Sequence, residues 1–400
     1  MPTDPRPTDL PVGIHDLTFR TTSLSLTHAE LARHTGAGLA KYHQGIGQRA
    51  MSIPAADEDI VTMAADAAAA LTERHGTHQI RTLLFATETS IDQSKAAGVY
   101  VHALLGLHPH MRVVELKQAC YGAAAAVQLA TAIVHRDPAQ QVLVVASDIA
   151  RYDLDSPGEA TQGAAAVAML IAANPALAAI DPVSGLCTRD IMDFWRPNYR
   201  TTALVDGKKS LDAYLHALDC AWVDHQRCGG PALKDLHTVC YHQPFTRMAH
   251  KAHRHLLHTA GVEAEHGDID AAIAPTTTYN EIVGNSYTAS MFLALAALLD
   301  NAEPLDGVPI GLFSYGSGSV AEFLTARVTP GYRDFLHVAE HQHAIAQRRE
   351  ITYADYRQLR AHTPPVDGGR WEAPRASAGR YRLTGMHRHQ RLYASTTAEG

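Results

Sequence analysis

An α/β fold is predicted from two patterns that alternate along the chain. Short β-branched or aliphatic runs at residues 82–85, 142–145, 238–241, 269–273 and 308–313 read as strands. Between them, stretches rich in Ala and Leu at 61–71, 96–105 and 287–299 have helical periodicity. Apolar strands alternating with helices indicate sheets covered on both faces. A third observation is a weak internal duplication. Each half has a strand ending in a polar residue, LLFATE at Glu88 and TVCYH at His242, and a small-residue helix, one entered through KQAC and the other through Gly284 and Asn285. Two such halves, packed face to face, bring these strand ends into one central site.

At 400 residues the chain is long enough for two lobes or one large layered core. Hydrophobic residues make up 46% and charged residues 19%, the balance of a soluble globular protein. No apolar run approaches the roughly 20 residues needed to span a bilayer. MPTDPRPTDL lacks a basic segment followed by an apolar one, so it reads as a short disordered lead-in and secretion is not expected. A formal charge of −7 argues against nucleic acid as the main partner. The five cysteines form no CxxC pairs, which suits a reducing cytoplasm. The densest histidine cluster, His250 to His258, has HxxH spacings without accompanying carboxylates or cysteines, so no metal site is expected there.

The chemistry concentrates in four places. In RVVELKQACYG an apolar run turns into an Ala-rich helix at Cys120, and a thiol at a helix start is favoured as thiolate. Alone, Cys120 reads better as a small buried core residue. Glu88 closes a buried strand, where lost hydration raises a carboxyl pKa and suits it to acid–base work; capping the next helix or pairing with Lys95 is the alternative. His242 lies where a strand meets a Pro-containing turn, placed to bond a carbonyl or move a proton. The turn Ser314 to Ser319, SYGSGS, presents backbone N–H groups of the kind that hold an oxyanion; it lacks a nucleotide-loop pattern. Arg247, Lys251 and Arg254 follow His242 on one predicted helix, with Arg247 and Lys251 on the same face, and are the best phosphate-binding candidates. Towards the end, residues 363–380 read as a Pro/Gly-rich loop, and RYRLTGMHRHQRLY as a returning edge strand.

Together, GIGQ, DEDIVTM, LLFATETSIDQSKAAG, ELKQACYGAAAAVQLA, ASDIARY, EATQGAAAVAMLIA, DFWRP, LVDGKKSLDAY, YHQPFTRM, GNSYT and GLFSYGSGSVAEF, in this order, resemble the 3-hydroxy-3-methylglutaryl-CoA synthases of the thiolase superfamily, and look most like the bacterial mevalonate-pathway type. The resemblance spans nearly the whole chain. It implies a thiolase-like five-layered αβαβα fold, with one half at 11–173 carrying Glu88 and Cys120 and the other at 174–395 carrying His242 and Asn285. It further implies a cytoplasmic homodimer that condenses acetyl-CoA with acetoacetyl-CoA and needs no metal or prosthetic group. By motif, Cys120 takes the acetyl group, Glu88 deprotonates its methyl, and His242 polarises the acceptor ketone. Tyr121, Tyr152, Thr161, Ser210, Asn285, Tyr315 and Ser317 match positions near the acyl and pantetheine groups, and Arg247 and Lys251 match positions where relatives have lysine. Gly38 stands where relatives commonly carry an acidic residue near the CoA adenosine. The polyketide β-branching synthases share the catalytic three but take the acceptor from a carrier protein; EATQGAAAVAML and LVDGKKSLDAY favour the free-CoA enzyme.

Overall fold

A computed structural model of the chain describes residues 10–361 and 364–396. Most of the expected lead-in, residues 1–9, and Thr363 at the start of the expected loop lie outside the described residues.

Nine strands form one sheet. In chain order they are β1 (Val12–Thr21), β2 (Ile80–Ala86), β3 (Arg112–Leu116), β4 (Gln141–Ile149), β5 (Ala164–Ala173), β6 (Ala178–Thr188), β7 (Val239–Tyr241), β8 (Pro309–Gly316) and β9 (Val320–Val328). Across the sheet the order is β7-β8-β9-β6-β1-β5-β4-β2-β3. Strands before residue 174 therefore occupy one flank and later strands the other. The flanks meet where β1 pairs with β6 over only two positions, Gly13↔Ala179 and Ile14↔Ala178.

Alternation along each strand sends side chains to opposite faces, which generates the layers. From β4, Val142, Val144 and Ala146 face a central cluster, while Leu143 and Val145 face an outer one. From β8, Ile310 and Leu312 face the same centre, and Phe313 and Tyr315 face a third cluster. The centre is filled by α2 (Gly122–Arg136) and α6 (Ser290–Asn301). The outer layers are α1 (Ile60–His75) on one flank, and α3 (Gly207–Arg227) with α4 (Arg247–Thr259) on the other. The result is the expected αβαβα stack. Every residue of α6 from Ser290 to Leu299 is buried, as its unbroken apolar sequence requires. Each fully buried leucine there contributes roughly 1.5–3 kcal/mol.

Most predicted elements are present, with three corrections. Residues 269–273 are helical, inside α5 (His266–Thr277). Ile269 and Ile273 are four apart, and both are buried while Asp268 and Ala271 between and beside them are exposed. The helix beside Cys120 starts at Gly122, two residues later than expected. The C-terminal segment is a hairpin, Tyr381–His387 with Gln390–Ser395, turning through Arg388 and His389 at positive φ. It belongs to a separate three-stranded sheet with Trp371–Glu372, which also interrupts the expected loop. Arg391 and the Tyr393 hydroxyl bind Asp59, the N-cap of α1, so the end of the chain returns to the first flank. Among the described residues no helix is long and apolar enough to cross a membrane.

Candidate active site

β2 ends at Ala86 and delivers Glu88 to the C-terminal end of the sheet; the turn after β3 delivers Cys120 to the same place. The thiol donates to Glu88 Oε1 at 3.5 Å. Both side chains lie almost entirely inside, with Glu88 8% and Cys120 9% exposed. His242 follows β7 directly and is 2% exposed. Its amide donates to the Phe313 carbonyl at 2.8 Å, and its carbonyl accepts from the Tyr214 hydroxyl at 2.8 Å. Tyr214, on α3, also stacks on the imidazole, with ring centroids 6.4 Å apart.

Two close approaches fasten the flanks together around this point. A Cβ on Gly284 would sit 2.0 Å from the Gln162 carbonyl oxygen, and its φ of +85° suits glycine. That contact permits the bridge between Gln162 and Asn285. A Cβ on Gly316 would lie 2.4 Å from the Gln118 carbonyl oxygen, so only glycine lets the end of β8 cross the cysteine turn.

Burial dominates the electrostatics. It pushes the Glu88 carboxyl up to about 8, helped by the Asp148 charge and opposed by Arg196 and the thiol hydrogen bond. It also pushes the Cys120 thiol well up, with Glu88 and Asp148 adding to the effect and the residue's own amide acting the other way. The helix-end expectation of a thiolate is therefore corrected: the helix starts too late, and burial favours the neutral thiol. Burial alone lowers His242 to about 3, so the imidazole is neutral across the physiological range. Its Nδ1 is buried and has no protein partner, as expected of a group that awaits a ligand.

The raised Glu88 carboxyl has a consequence for stability. Between its ordinary value of 4.5 and about 8, the folded protein keeps a proton that the unfolded chain has released. Stability from this group is thus complete below about pH 4.5 and is lost as pH rises through 8. Glu88→Gln, which cannot ionise, should melt several degrees higher than the parent at pH 8 and about equally at pH 4, as read by thermal denaturation.

The other candidates separate into those at the thiol and those further off. Tyr152 packs with Cys120, Ala150, Ala203 and Tyr287, and its hydroxyl bonds Tyr287 and Thr161. The Asn285 side chain accepts from the Tyr287 amide at 2.9 Å, and its own amide donates to the Thr161 carbonyl at 3.0 Å. Ser210 and Tyr315 both bond Asp193 Oδ2, at 3.3 and 2.7 Å. Ser317 lies by the Tyr315 hydroxyl, and its carbonyl accepts from Gln118 at 3.3 Å. Tyr121 turns elsewhere, its hydroxyl donating to Glu322 at 2.8 Å. On α4, Arg247 is half-buried 3.6 Å from Asp270, and Lys251 is exposed with Nζ 5.2 Å from the Phe245 ring. Gly38 is in the open, with nothing within 4 Å of a Cβ built on it. The expected histidine cluster is dispersed: His250 faces Asp270, His253 bonds Tyr241, and His255 bonds Asp219.

Sequence reasoning assigned no role to Asp148, Asp193 or Arg196, although each lies inside a quoted motif. Asp148 accepts from Thr87, Thr89 and the Glu88 amide at 2.7, 2.6 and 3.0 Å, and from Thr288, 140 residues further along, at 2.5 Å. Asp193 takes the Gly318 amide at 3.0 Å, which removes that N–H from the expected oxyanion donors of the turn. Arg196 donates to the Glu88 carbonyl, and to that of Thr89 at 3.2 Å.

A thiol in contact with a buried carboxyl, and a neutral imidazole at another strand end of a five-layered αβαβα stack, are the parts of a thiolase-like acyl-condensing enzyme. Family models for the hydroxymethylglutaryl-coenzyme A synthase N-terminal and C-terminal regions match residues 6–176 and 257–360. A hydroxymethylglutaryl-CoA synthase of Enterococcus faecalis is 40% identical over 359 residues, covering 89% of this chain and 93% of the relative. The polyketide-biosynthesis 3-hydroxy-3-methylglutaryl-ACP synthase PksG of Bacillus subtilis (strain 168) is 31% identical, covering 82% and 83%. A crystal structure of an HMG-CoA synthase complexed with CoA superposes with TM-score 0.91 at 35% identity, covering 96% of this chain and 100% of that one. MvaS in complex with 3-hydroxy-3-methylglutaryl coenzyme A gives 0.87 at 34%, covering 97% and 99%. The chain belongs to the hydroxymethylglutaryl-CoA synthase family.

Proposed function

We propose that the protein condenses acetyl-CoA with acetoacetyl-CoA and hydrolyses the product thioester from Cys120, giving 3-hydroxy-3-methylglutaryl-CoA and free CoA. The observation that carries this is the buried contact of 3.5 Å between the Cys120 thiol and Glu88, beside which we set a neutral His242 whose Nδ1 has no protein partner. Cys120 sulfur attacks the acetyl thioester carbonyl, the C–S bond to CoA breaks, and the cysteine proton leaves with CoA. Glu88 takes a proton from the bound acetyl methyl, and the resulting carbanion equivalent adds to the acceptor ketone. His242 donates an N–H to the ketone oxygen as it gains charge, and the proton held by Glu88 passes to that oxygen, giving the tertiary hydroxyl and restoring the base. Water then cleaves the Cys120 thioester, restoring the thiol and releasing the new carboxylate. Covalent tethering makes the carbon–carbon step intramolecular. Thioester activation and these side chains complete the scheme without a metal or prosthetic group.

Tyr152, Thr161, Asn285 and Tyr287 enclose the acyl end in this scheme, with Ser210, Tyr315 and Ser317 along the approach. Arg247 and Lys251 take the CoA phosphates. We place the reaction in the cytoplasm, where five free cysteines suit the reducing conditions, and in the mevalonate pathway, on the resemblance to its bacterial enzymes. We also propose two related halves, 11–173 and 174–395, and a homodimer. The edge strand β3 supports the dimer: among the described residues it pairs only with β2, and Val114 on it is 38% exposed.

The acceptor is tested by comparing acetoacetyl-CoA with acetoacetyl-carrier protein. Efficient turnover of the free thioester is expected. Turnover of the carrier-bound form alone overturns the assignment in favour of a β-branching enzyme.

A further inference from the structure

Residues 150–162, between β4 and β5, carry Tyr152 and Thr161 to the acyl site but add no strand to the sheet. Their placement depends on what grips them from outside. On one side Thr202 and Arg200 hold Asp153 at 2.5 and 2.8 Å. On the other lies α7 (Tyr353–Ala361), almost two hundred residues further along the chain. The Tyr356 hydroxyl donates to Glu159 at 2.8 Å and accepts from Gln162 Nε2 at 2.9 Å. Arg360 makes the most direct contact. Its Nη1 donates to Gln162 Oε1 at 2.6 Å and its Nη2 to the Tyr152 carbonyl at 2.6 Å. The same Gln162 oxygen accepts from the Tyr152 amide at 2.9 Å. One guanidinium therefore fixes residue 152 at its carbonyl directly and at its amide through Gln162.

These bonds differ in weight from the others on α7. The Arg357–Asp155 pair is exposed on both sides, where screening leaves little. The Arg360 bonds are partly buried and charge-assisted, and use two tines of a rigid fork. The residue they fix belongs to the same small apolar cluster as Cys120.

We propose that Arg360 is a positioning residue for the acyl site: by fixing the backbone of Tyr152 it holds that ring against the acetyl group on Cys120, so that the acetyl-enzyme condenses with the second substrate instead of losing acetate to water. The competing step is simple hydrolysis, in which water cleaves the thioester to acetate and the free thiol. The inference rests on the reading that Cys120 carries the acetyl group. A loosened ring leaves the acetyl carbon less well aimed and the thioester more open to water.

The test measures two rates on full-length wild type, Arg360→Ala and Arg360→Lys: product from acetyl-CoA plus acetoacetyl-CoA, and acetate from acetyl-CoA alone. Arg360→Ala should shift the ratio of condensation to hydrolysis by about tenfold or more towards hydrolysis, as small misplacements of reacting groups do. Arg360→Lys, which keeps the charge but not the fork, should fall between. An unchanged ratio overturns the proposal, even where both rates drop in proportion to a lower melting temperature, since that is a purely structural role. Should Arg360→Ala fail to fold, the lysine variant decides: a ratio equal to wild type overturns the proposal, and a several-fold shift supports it. A wild type that never acetylates Cys120 overturns the activity proposed above and this inference with it. A wild type that condenses normally beside an unshifted variant overturns this inference alone.

Discussion

Glu88→Ala should still accept an acetyl group on Cys120 but condense roughly 10²–10⁴-fold more slowly, the range over which a positioned base accelerates proton transfer. The two steps separate because Glu88 acts oppositely on them. Its charge and its hydrogen bond both hold the thiol protonated, so removing it takes away two influences that oppose nucleophilic attack. The methyl proton has no comparable acceptor. Asp148 is the other carboxylate that acts on both Glu88 and Cys120, but hydrogen bonds from Thr87, Thr89 and Thr288 already occupy its oxygens. Single-turnover mixing of the acetylated variant with acetoacetyl-CoA measures the second step alone. A Glu88→Ala enzyme that condenses at the parental rate would assign the base elsewhere.

The second large effect is expected at His242. His242→Ala removes the donor for the developing alkoxide and should cost about 10²–10³-fold in condensation, as the loss of one oxyanion donor does, while leaving acetylation of Cys120 close to normal. The fold holds this residue by its backbone, through the Phe313 carbonyl and the Tyr214 hydroxyl, so truncating the side chain leaves those anchors in place. The lowered imidazole pKa adds a second signature. With a value of about 3 the ring is already neutral at pH 5, and no part of the condensation profile between pH 5 and 8 should come from His242. A wild-type limb in that window that vanishes in the His242 variant would contradict a neutral donor.

What could be read from sequence followed the range of the interactions. Strands such as β2, β4 and β8 were legible because their apolar runs are local signals. The run IDAAI at 269–273 was misread because isoleucines four apart end a five-residue stretch that fits a buried strand as well as one face of a helix. The C-terminal hairpin was taken for one strand because its turn, Arg388 and His389, uses positive φ without glycine or asparagine.

The same limit applies to the site. Glu88, Cys120 and His242 stand out as candidates because each closes a recognisable strand-to-turn motif. Their pKa shifts were legible only in part: a desolvated carboxyl could be expected at a buried strand end, whereas the suppressed thiolate comes first from burial and then from Glu88 and Asp148. That residue reaches the site through partners about 60 and 140 positions away. Arg360 is more distant still, and nothing in QLRAH indicates that its guanidinium ends at Tyr152. Long-range hydrogen bonds leave no periodicity behind them, so only the folded chain reveals which polar residues support the reacting ones.

The central claim is that Cys120 carries the carbon unit through the reaction. Incubating the protein with isotopically labelled acetyl-CoA alone, then quenching, digesting and weighing the peptides, tests it most directly. The account predicts one labelled acetyl group on the peptide containing Cys120, discharged into the six-carbon product when acetoacetyl-CoA is added. Label on another residue, or folded protein that forms product while Cys120 stays unmodified, would contradict it.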